Sequence, residues 1–218
     1  MTSRPPHRPA GRVSRGERTR RALMNAALDL VERKGSFAGL SLRQVARRAG
    51  VVPTAFYRHF PDMDSLGVAL VDDSFHTLRQ LMRETRKQGL PARQVIRESV
   101  ATYVRYVRAN HRHFRFVVKE RFSGNTAIRE AIRREIRLFV SELATDLSRF
   151  PLFEKVSAED LRMIAGLIVN NMTVVTEQVL ELPPEGEGGD QEEEVLREAE
   201  KQLRLVMLGA GHWKSRTP

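Results

Sequence analysis

The chain has no cysteine, one tryptophan and three tyrosines among its 218 residues, and no long uninterrupted apolar run. The missing cysteines exclude disulfides and thiolate metal sites. No apolar run approaches the roughly 20 residues that a membrane span needs. The N-terminus is rich in Arg and Pro with no apolar stretch behind it, which is unlike a signal peptide. We therefore expect a cytoplasmic protein.

The motifs of common enzymes are also missing. The sequence has no Gly-rich phosphate loop after a strand, no nucleophile-elbow motif and no H-E-x-x-H. The Gly186–Gly189 cluster lies in an acidic loop that would repel phosphate. His111 and His113 are two positions apart, so on a helix they point in different directions, and no cysteine or nearby carboxylate completes a metal site. We expect both to be solvated surface histidines. We expect neither an enzyme, nor a cofactor, nor a metal.

Positive charge is concentrated at one end of the chain. The net charge is +10, and residues 1–60 account for all of it with 13 basic and 3 acidic residues, whereas the remaining 158 residues are balanced. A basic domain joined to a neutral one is typical of a protein that binds a polyanion such as DNA. A solvated basic surface is the alternative for charge alone.

The N-terminal part predicts an arm followed by a helix-turn-helix. Residues 1–14 are Arg- and Pro-rich with little to pack, which indicates a disordered basic arm, either in a DNA minor groove or loosely attracted to phosphates. An apolar stripe predicts a first helix that ends at Gly35. Ser41 and Gln44 form a capping-box pattern that opens a second, short helix. Gly50 makes the turn, and Pro53 suits the first position of a third helix that ends before Pro61.

Donor side chains and one flat aromatic are left on the outside of these two short helices, as a groove-facing surface requires. The DNA-binding residues that we expect are Arg43, Thr54, Tyr57, Arg58 and His59. Residues 15–61 would form this domain.

Residues 62–213 show helical periodicity from end to end. A long helix follows Pro61, and further helices are expected near 92–109, 112–120, 126–149, 157–181 and 192–208, with no strand. The last two carry wide apolar faces that could form a four-helix bundle with a second chain or be used within one chain. We favour a homodimer, because one short recognition helix contacts few bases. The interface residues that we expect are Ile164, Val175, Val179, Leu196, Leu203 and Met207.

Residues 41–66, SLRQVARRAGVVPTAFYRHFPDMDSL, strongly resemble the DNA-binding domain of the TetR family of regulators. The likeness lies in Ser41, Val45-Ala46, Ala49-Gly50-Val51 and Tyr57-Arg58-His59-Phe60. Two positions depart from the common pattern: Pro53 stands where most members have Gly, and Met63 where many have a phosphate-binding Lys. This chain resembles the branch of the family typified by FabR and DesT. The likeness lies in these two departures, in the D-x-D-x-LG pattern at 62–67 and in further stretches as far as Trp213.

The resemblance implies an all-α homodimer of about nine helices per chain, with a helical ligand-binding and dimerisation domain. It would repress genes of fatty acid desaturation or unsaturated fatty acid synthesis from a palindromic operator. Its effectors would be long-chain acyl-CoA or acyl-carrier-protein thioesters, whose charged head would bind arginines at the pocket mouth.

An acyl chain needs aliphatic and aromatic walls. The pocket residues that we expect are Phe114, Val117, Val118, Phe122, Phe139, Ile168, Asn171 and Met172, although aromatics at helical spacing also fit an ordinary core. Asn170 and Asn171 stand out because a buried amide needs a partner, such as a cavity or a second chain. Two other functions stay open: a TetR-type repressor that responds to an apolar drug or other xenobiotic and controls an efflux gene, and an architectural protein that coats DNA.

Overall fold

The computed structural model describes residues 14–86, 92–184 and 189–215, and these residues are helical with no strand, as the sequence predicts. The elements are α1 (Arg15–Lys34), α2 (Leu42–Arg48), α3 (Pro53–Tyr57), α4 (Met63–Arg86), α5 (Ala92–Ala109), α6 (His111–Glu120), α7 (Thr126–Leu147), a 3₁₀ turn (Pro151–Phe153), α8 (Ala158–Glu181) and α9 (Gly189–Gly211). Within the described ranges the fold is all-α with nine α-helices. The arm expected over 1–14 lies outside those ranges except for Ser14, which caps α1.

Local capping explains where the first helices begin and end. The Ser14 hydroxyl accepts from the Glu17 amide, and Gly35 ends α1 at a left-handed φ of 85° that a side chain would disfavour. The capping box of α2 is present: Ser41 Oγ accepts from the Gln44 amide at 3.4 Å, and Gln44 Oε1 accepts from the Ser41 amide at 3.0 Å. Gly50, at φ 69°, turns the chain toward α3.

Three helices have bounds that differ from the predicted ones by two or more residues. The third helix ends at Tyr57, and Arg58 caps it, so His59 and Phe60 lie in the turn that precedes α4. The seventh helix ends two residues early, at Leu147. The last helix starts at Gly189, within the expected loop, because Asp190 and Glu192 suit the positive end of a helix, and it continues to Gly211.

The small N-terminal core is continuous with the rest of the molecule. Phe37, Val45, Phe56 and Phe60 are buried against α1 and α4, and the same cluster includes Phe116 of α6. The helix-turn-helix therefore rests on α4 and α6.

Gly67 marks the closest approach between α4 and α7. A Cβ atom built there would lie 2.7 Å from Ile128 Cγ1, closer still to Ile128 Cδ1, and 3.2 Å from Phe37 Cε1. Real Cβ contacts are essentially never shorter than 3.0 Å, so only glycine fits without a shift of α7.

α8 is apolar on more than one side. Contrary to the sequence-based expectation of no such segment, it is the one helix in the described ranges that is long and apolar enough to cross a membrane by length and composition alone. It packs against α7, α9 and α5. Its apolar residues are therefore divided between core, cavity and surface.

Candidate DNA interface and ligand pocket

Four of the five predicted DNA-binding residues are exposed on the helix-turn-helix. Arg43 on α2 is exposed, as are Thr54, Tyr57 and Arg58 around α3, while His59 is half-buried. Tyr57 keeps 62 % of its surface accessible, although its neighbour Phe56 is completely buried. An aromatic that the fold itself does not bury is available to a groove, together with the donors beside it.

Contacts to α1 hold this surface in place. The Arg20 guanidinium lies 4.5 Å from the centre of the Phe60 ring and donates to the His59 carbonyl at 3.5 Å. Arg48 of α2 donates through Nε to Asp29 of α1, and this hydrogen bond holds the pKa of the Asp29 carboxyl below its ordinary value. These contacts with α1 thus fix the orientation of the short helices α2 and α3.

Val52, the N-cap residue of α3, was not predicted from the sequence. It is 64 % exposed beside Thr54, so an apolar side chain lies on the proposed DNA face, where it could contact a thymine methyl group. No periodicity identifies such a residue, because it lies in a turn between two helices.

A cavity of about 1250 Å³, part of it open to solvent, lies between six helices of the C-terminal region. α4, α5, α6, α7, α8 and α9 all contribute to its walls, which are predominantly aliphatic and aromatic. Pockets for small apolar ligands have walls of this character.

Two buried hydroxyls form a polar spot in the wall of this cavity. Tyr103 Oη lies 2.5 Å from Thr176 Oγ1 and donates to the Met172 carbonyl at 3.2 Å. Burial raises the pKa of Tyr103 to about 12, against the opposing effect of the Thr176 hydrogen bond. The hydroxyl therefore stays neutral, and the tyrosine contributes mainly its ring to the cavity.

Six of the eight predicted pocket residues line the cavity, and two do not. The six are Phe114, Val117, Val118, Phe139, Ile168 and Met172. Phe122 is 81 % exposed because α6 ends at Glu120 and residue 122 lies in the following turn. Asn171 is absent from the cavity wall, and its buried Nδ2 has no partner in the described part of the chain.

α6 contacts both the cavity and the helix-turn-helix. Phe114, Val117 and Val118 line the cavity, whereas the Phe116 ring packs edge-on against Phe37 at 5.6 Å between centres. The Phe37 amide donates to Glu120 Oε1 at 3.1 Å, and the Glu120 side chain is buried. α6 therefore joins the cavity wall to the turn between α1 and α2 by direct contacts.

The expectation that no carboxylate lies near His111 and His113 was wrong: each has one nearby, but not the same one, because α6 packs between α1 and α4. His113 Nε2 is 3.4 Å from Asp73 of α4, and hydrogen bonding to it lowers the pKa of Asp73. His111 Nε2 lies 4.0 Å from Glu32 of α1, which also pairs with Arg112 at 3.2 Å. The two imidazoles point apart and brace the domain boundary.

The residues expected at a dimer interface face inward instead. Ile164, Val175, Val179 and Leu203 are buried within the protomer, and Leu196 and Met207 are partly buried against the same clusters. The periodicity of a helix that is apolar on several sides does not define which side faces the core. The exposed apolar residues of α8 and α9 are Met163, Leu167, Val174, Leu205 and Leu208.

Comparisons with known proteins agree with this arrangement. Residues 23–70 match the family model described as bacterial regulatory proteins of the tetR family. The FadR regulator from Bacillus subtilis, solved in complex with stearoyl-CoA, is 15 % identical, and the match covers 87 % of this chain and 98 % of that one with a TM-score of 0.69. The fatty acid degradation regulator FadR from Bacillus halodurans is 16 % identical over 88 % and 95 % of the two chains, with a TM-score of 0.70. Salmonella enterica GusR is 18 % identical over 92 % and 98 %, with a TM-score of 0.71.

At these identities the solved structures establish the fold, while the family model covers the helix-turn-helix itself. α1, α2, α3 and the start of α4 lie within the matched range apart from the first residues of α1. Residues 23–70 thus form a domain of the tetR family of bacterial regulatory proteins, and the chain shares its fold with solved regulators of that family.

Proposed function

We propose that this regulator is a homodimeric repressor of genes for fatty acid desaturation or unsaturated fatty acid synthesis, and that long-chain acyl-CoA or acyl-carrier-protein thioesters are its effectors. The observation that carries the proposal is the apolar cavity, whose wall helix α6 also contacts the helix-turn-helix. The fold of FadR from Bacillus subtilis, a protein solved with stearoyl-CoA, supports the choice of ligand class.

Recognition of a specific DNA sequence requires two copies. α3 has only five residues, which is too short to contact more than a few bases. Two recognition helices about 34–36 Å apart would enter successive major grooves of a palindromic operator. The exposed apolar face of α8 and α9, namely Met163, Leu167, Val174, Leu205 and Leu208, is the surface that a second copy would cover.

Ligand binding would change DNA affinity through α4 and α6. α4 runs unbroken from Met63, beside the helix-turn-helix, to Arg86 at the cavity. An acyl chain that separates α7 from α4 would tilt α4 and change the distance between the two recognition helices. The ligand needs only a few kcal/mol of differential affinity for the two states to shift their populations.

The test measures binding of purified protein to DNA from upstream of its own gene and of neighbouring desaturase genes, with and without palmitoyl-CoA and oleoyl-CoA. We expect binding to the operator at least about 10³-fold tighter than to unrelated DNA. Saturated and unsaturated thioesters should shift the affinity by different factors. R43A should weaken operator binding, and it should reduce by about 1 the slope of the logarithm of the binding constant against the logarithm of the salt concentration. R197A, which removes an exposed arginine on α9, should change neither quantity.

Three other results would each contradict a different part of the proposal. Specific DNA binding that no acyl-CoA changes would favour an apolar drug as effector. Tight binding without sequence preference would favour the architectural alternative. A monomer that binds the operator as tightly as a dimer would remove the proposed role of α8 and α9.

A further inference from the structure

Arg86 places a buried positive charge in the wall of the predominantly apolar cavity. It is the last residue of α4, and its side chain is only 8 % exposed. Its Nε donates to Asp146 Oδ2 of α7 at 2.7 Å. This is the only hydrogen bond of the Arg86 guanidinium within the described ranges, so the two terminal nitrogens are available to a ligand.

The carboxylate beside Arg86 is shared with a second arginine. Asp146 Oδ1 accepts from Arg149 at 3.2 Å, so two guanidinium groups bind one carboxylate. The neighbouring acid on α7 does not compensate, because Glu142 is paired with Arg83 at 3.0 Å. This end of the cavity therefore carries an excess of positive charge.

A charge with little solvent access is unfavourable unless it is paired, and the low local dielectric strengthens any pair that does form. A guanidinium whose Nε is held by a carboxylate presents its terminal nitrogens in a fixed orientation. Arginine in this geometry binds carboxylate or phosphate oxygens with two parallel hydrogen bonds.

We propose that Arg86 binds an anionic group of the ligand, so that the cavity selects long-chain acyl compounds with negatively charged oxygens over neutral apolar molecules. The proposal rests on the proposed function, since it assigns a head-group site to the same acyl pocket. The oxygens could belong to a fatty acid carboxylate or to the phosphates of an acyl-CoA.

Arg121 is the other charged residue in the wall, and the structure favours Arg86 over it. The Arg121 guanidinium lies 5.3 Å from the centre of the exposed Phe122 ring, and the residue follows the end of α6 at a partly exposed position. Water screens a charge at such a position. Arg121 is therefore a matched control, with the same side chain in the same cavity but without a carboxylate to orient it.

The experiment measures the dissociation constants of palmitate, palmitoyl-CoA and hexadecanol by calorimetry for the full-length wild type, R86M and R121M. We expect the wild type to bind at least one of the two anions at least about tenfold more tightly than the neutral alcohol, a difference of about 1.4 kcal/mol. R86M should remove that preference and change hexadecanol binding by less than about threefold. R121M should keep the preference.

R86M leaves Asp146 with one partner, so R86M/D146N, which removes both charges of the pair, is measured in parallel. Circular dichroism checks that each variant is folded. Loss of preference for palmitate alone would identify the carboxylate as the bound group, and loss for palmitoyl-CoA alone would identify the phosphates.

Equal weakening of all three ligands in R86M and in the double variant would overturn the proposal, because it would show a structural role. Loss of the preference in R121M instead would also overturn it and would place the head group at Arg121. Wild-type protein that binds hexadecanol as tightly as both anions would refute the Arg86 site but leave an apolar pocket. Wild-type protein that binds none of the three would refute the acyl-sensing function itself.

Discussion

Replacement of Gly67 by alanine tests the close approach of α4 to α7 where α4 leaves the helix-turn-helix. The added methyl group would overlap the side chain of Ile128, which is fully buried. Overpacking of this kind costs about 1–3 kcal/mol. Alanine also favours the helix by about 1 kcal/mol relative to glycine. We therefore expect G67A to lower the free energy of unfolding by about 0–2 kcal/mol.

The second change isolates the overlap from the helix propensity. I128A alone should destabilise the protein by about 2–5 kcal/mol, because it leaves a cavity. In that background, alanine at position 67 meets only the Phe37 ring, at 3.2 Å from Cε1, so G67A should now stabilise by up to about 1 kcal/mol. The coupling energy between the two changes should be about 1–3 kcal/mol, which is the overlap itself.

Urea unfolding followed by circular dichroism at one fixed protein concentration measures all four proteins. I132A is the matched control, since Ile132 is equally buried on α7 but is not among the atoms that meet a Cβ at Gly67. G67A and I132A should therefore be additive within about 0.5 kcal/mol. A coupling energy below about 0.5 kcal/mol for G67A with I128A would refute the steric argument.

Three further predictions concern buried polar groups. E120A should destabilise the protein by at least about 1–3 kcal/mol, because the buried Phe37 amide loses its acceptor, and E120Q should cost less in the same urea assay. D29N should be less stable than wild type at pH 7, because the lowered pKa of Asp29 means that its bond to Arg48 stabilises the fold above the unfolded-state pKa of about 3.9. The difference in the free energy of unfolding should shrink as the pH falls below that pKa. An equal difference at pH 7 and pH 3 would contradict this. Because Tyr103 has a pKa of about 12, phenolate absorbance of wild type and Y103F should coincide up to about pH 10.5, and an earlier divergence would show that the phenol reaches water.

Local signals predicted the helix-turn-helix in detail. The capping box at Ser41, the turn at Gly50 and Pro53 at the start of α3 each depend on residues a few positions apart, so the sequence contains all the information needed. The bounds of α5 agree with the expected 92–109 for the same reason.

Features that depend on tertiary packing were predicted less well. Phe122 has the same character as Phe114, and only the end of α6 at Glu120 separates an exposed ring from a cavity wall. No local pattern distinguishes Arg86, because its contact with Asp146 spans 60 positions of sequence. On α8, the apolar residues around Ile164 and Val175 could not be assigned to core or interface without the neighbouring helices.

The division of α8 between two surfaces has a consequence for how sensitively the protein responds. Ile168 and Met172 line the cavity, while Leu167 and Val174 lie on the exposed side of the same helix. When a second copy covers that side, self-association and effector binding both act on this one helix. Thermodynamic reciprocity then requires that effector binding changes the dimerisation constant by the same factor by which dimerisation changes the affinity for the effector. The effector concentration that half-saturates the regulator then depends on how many copies the cell contains, so a change in expression alone would reset the response threshold.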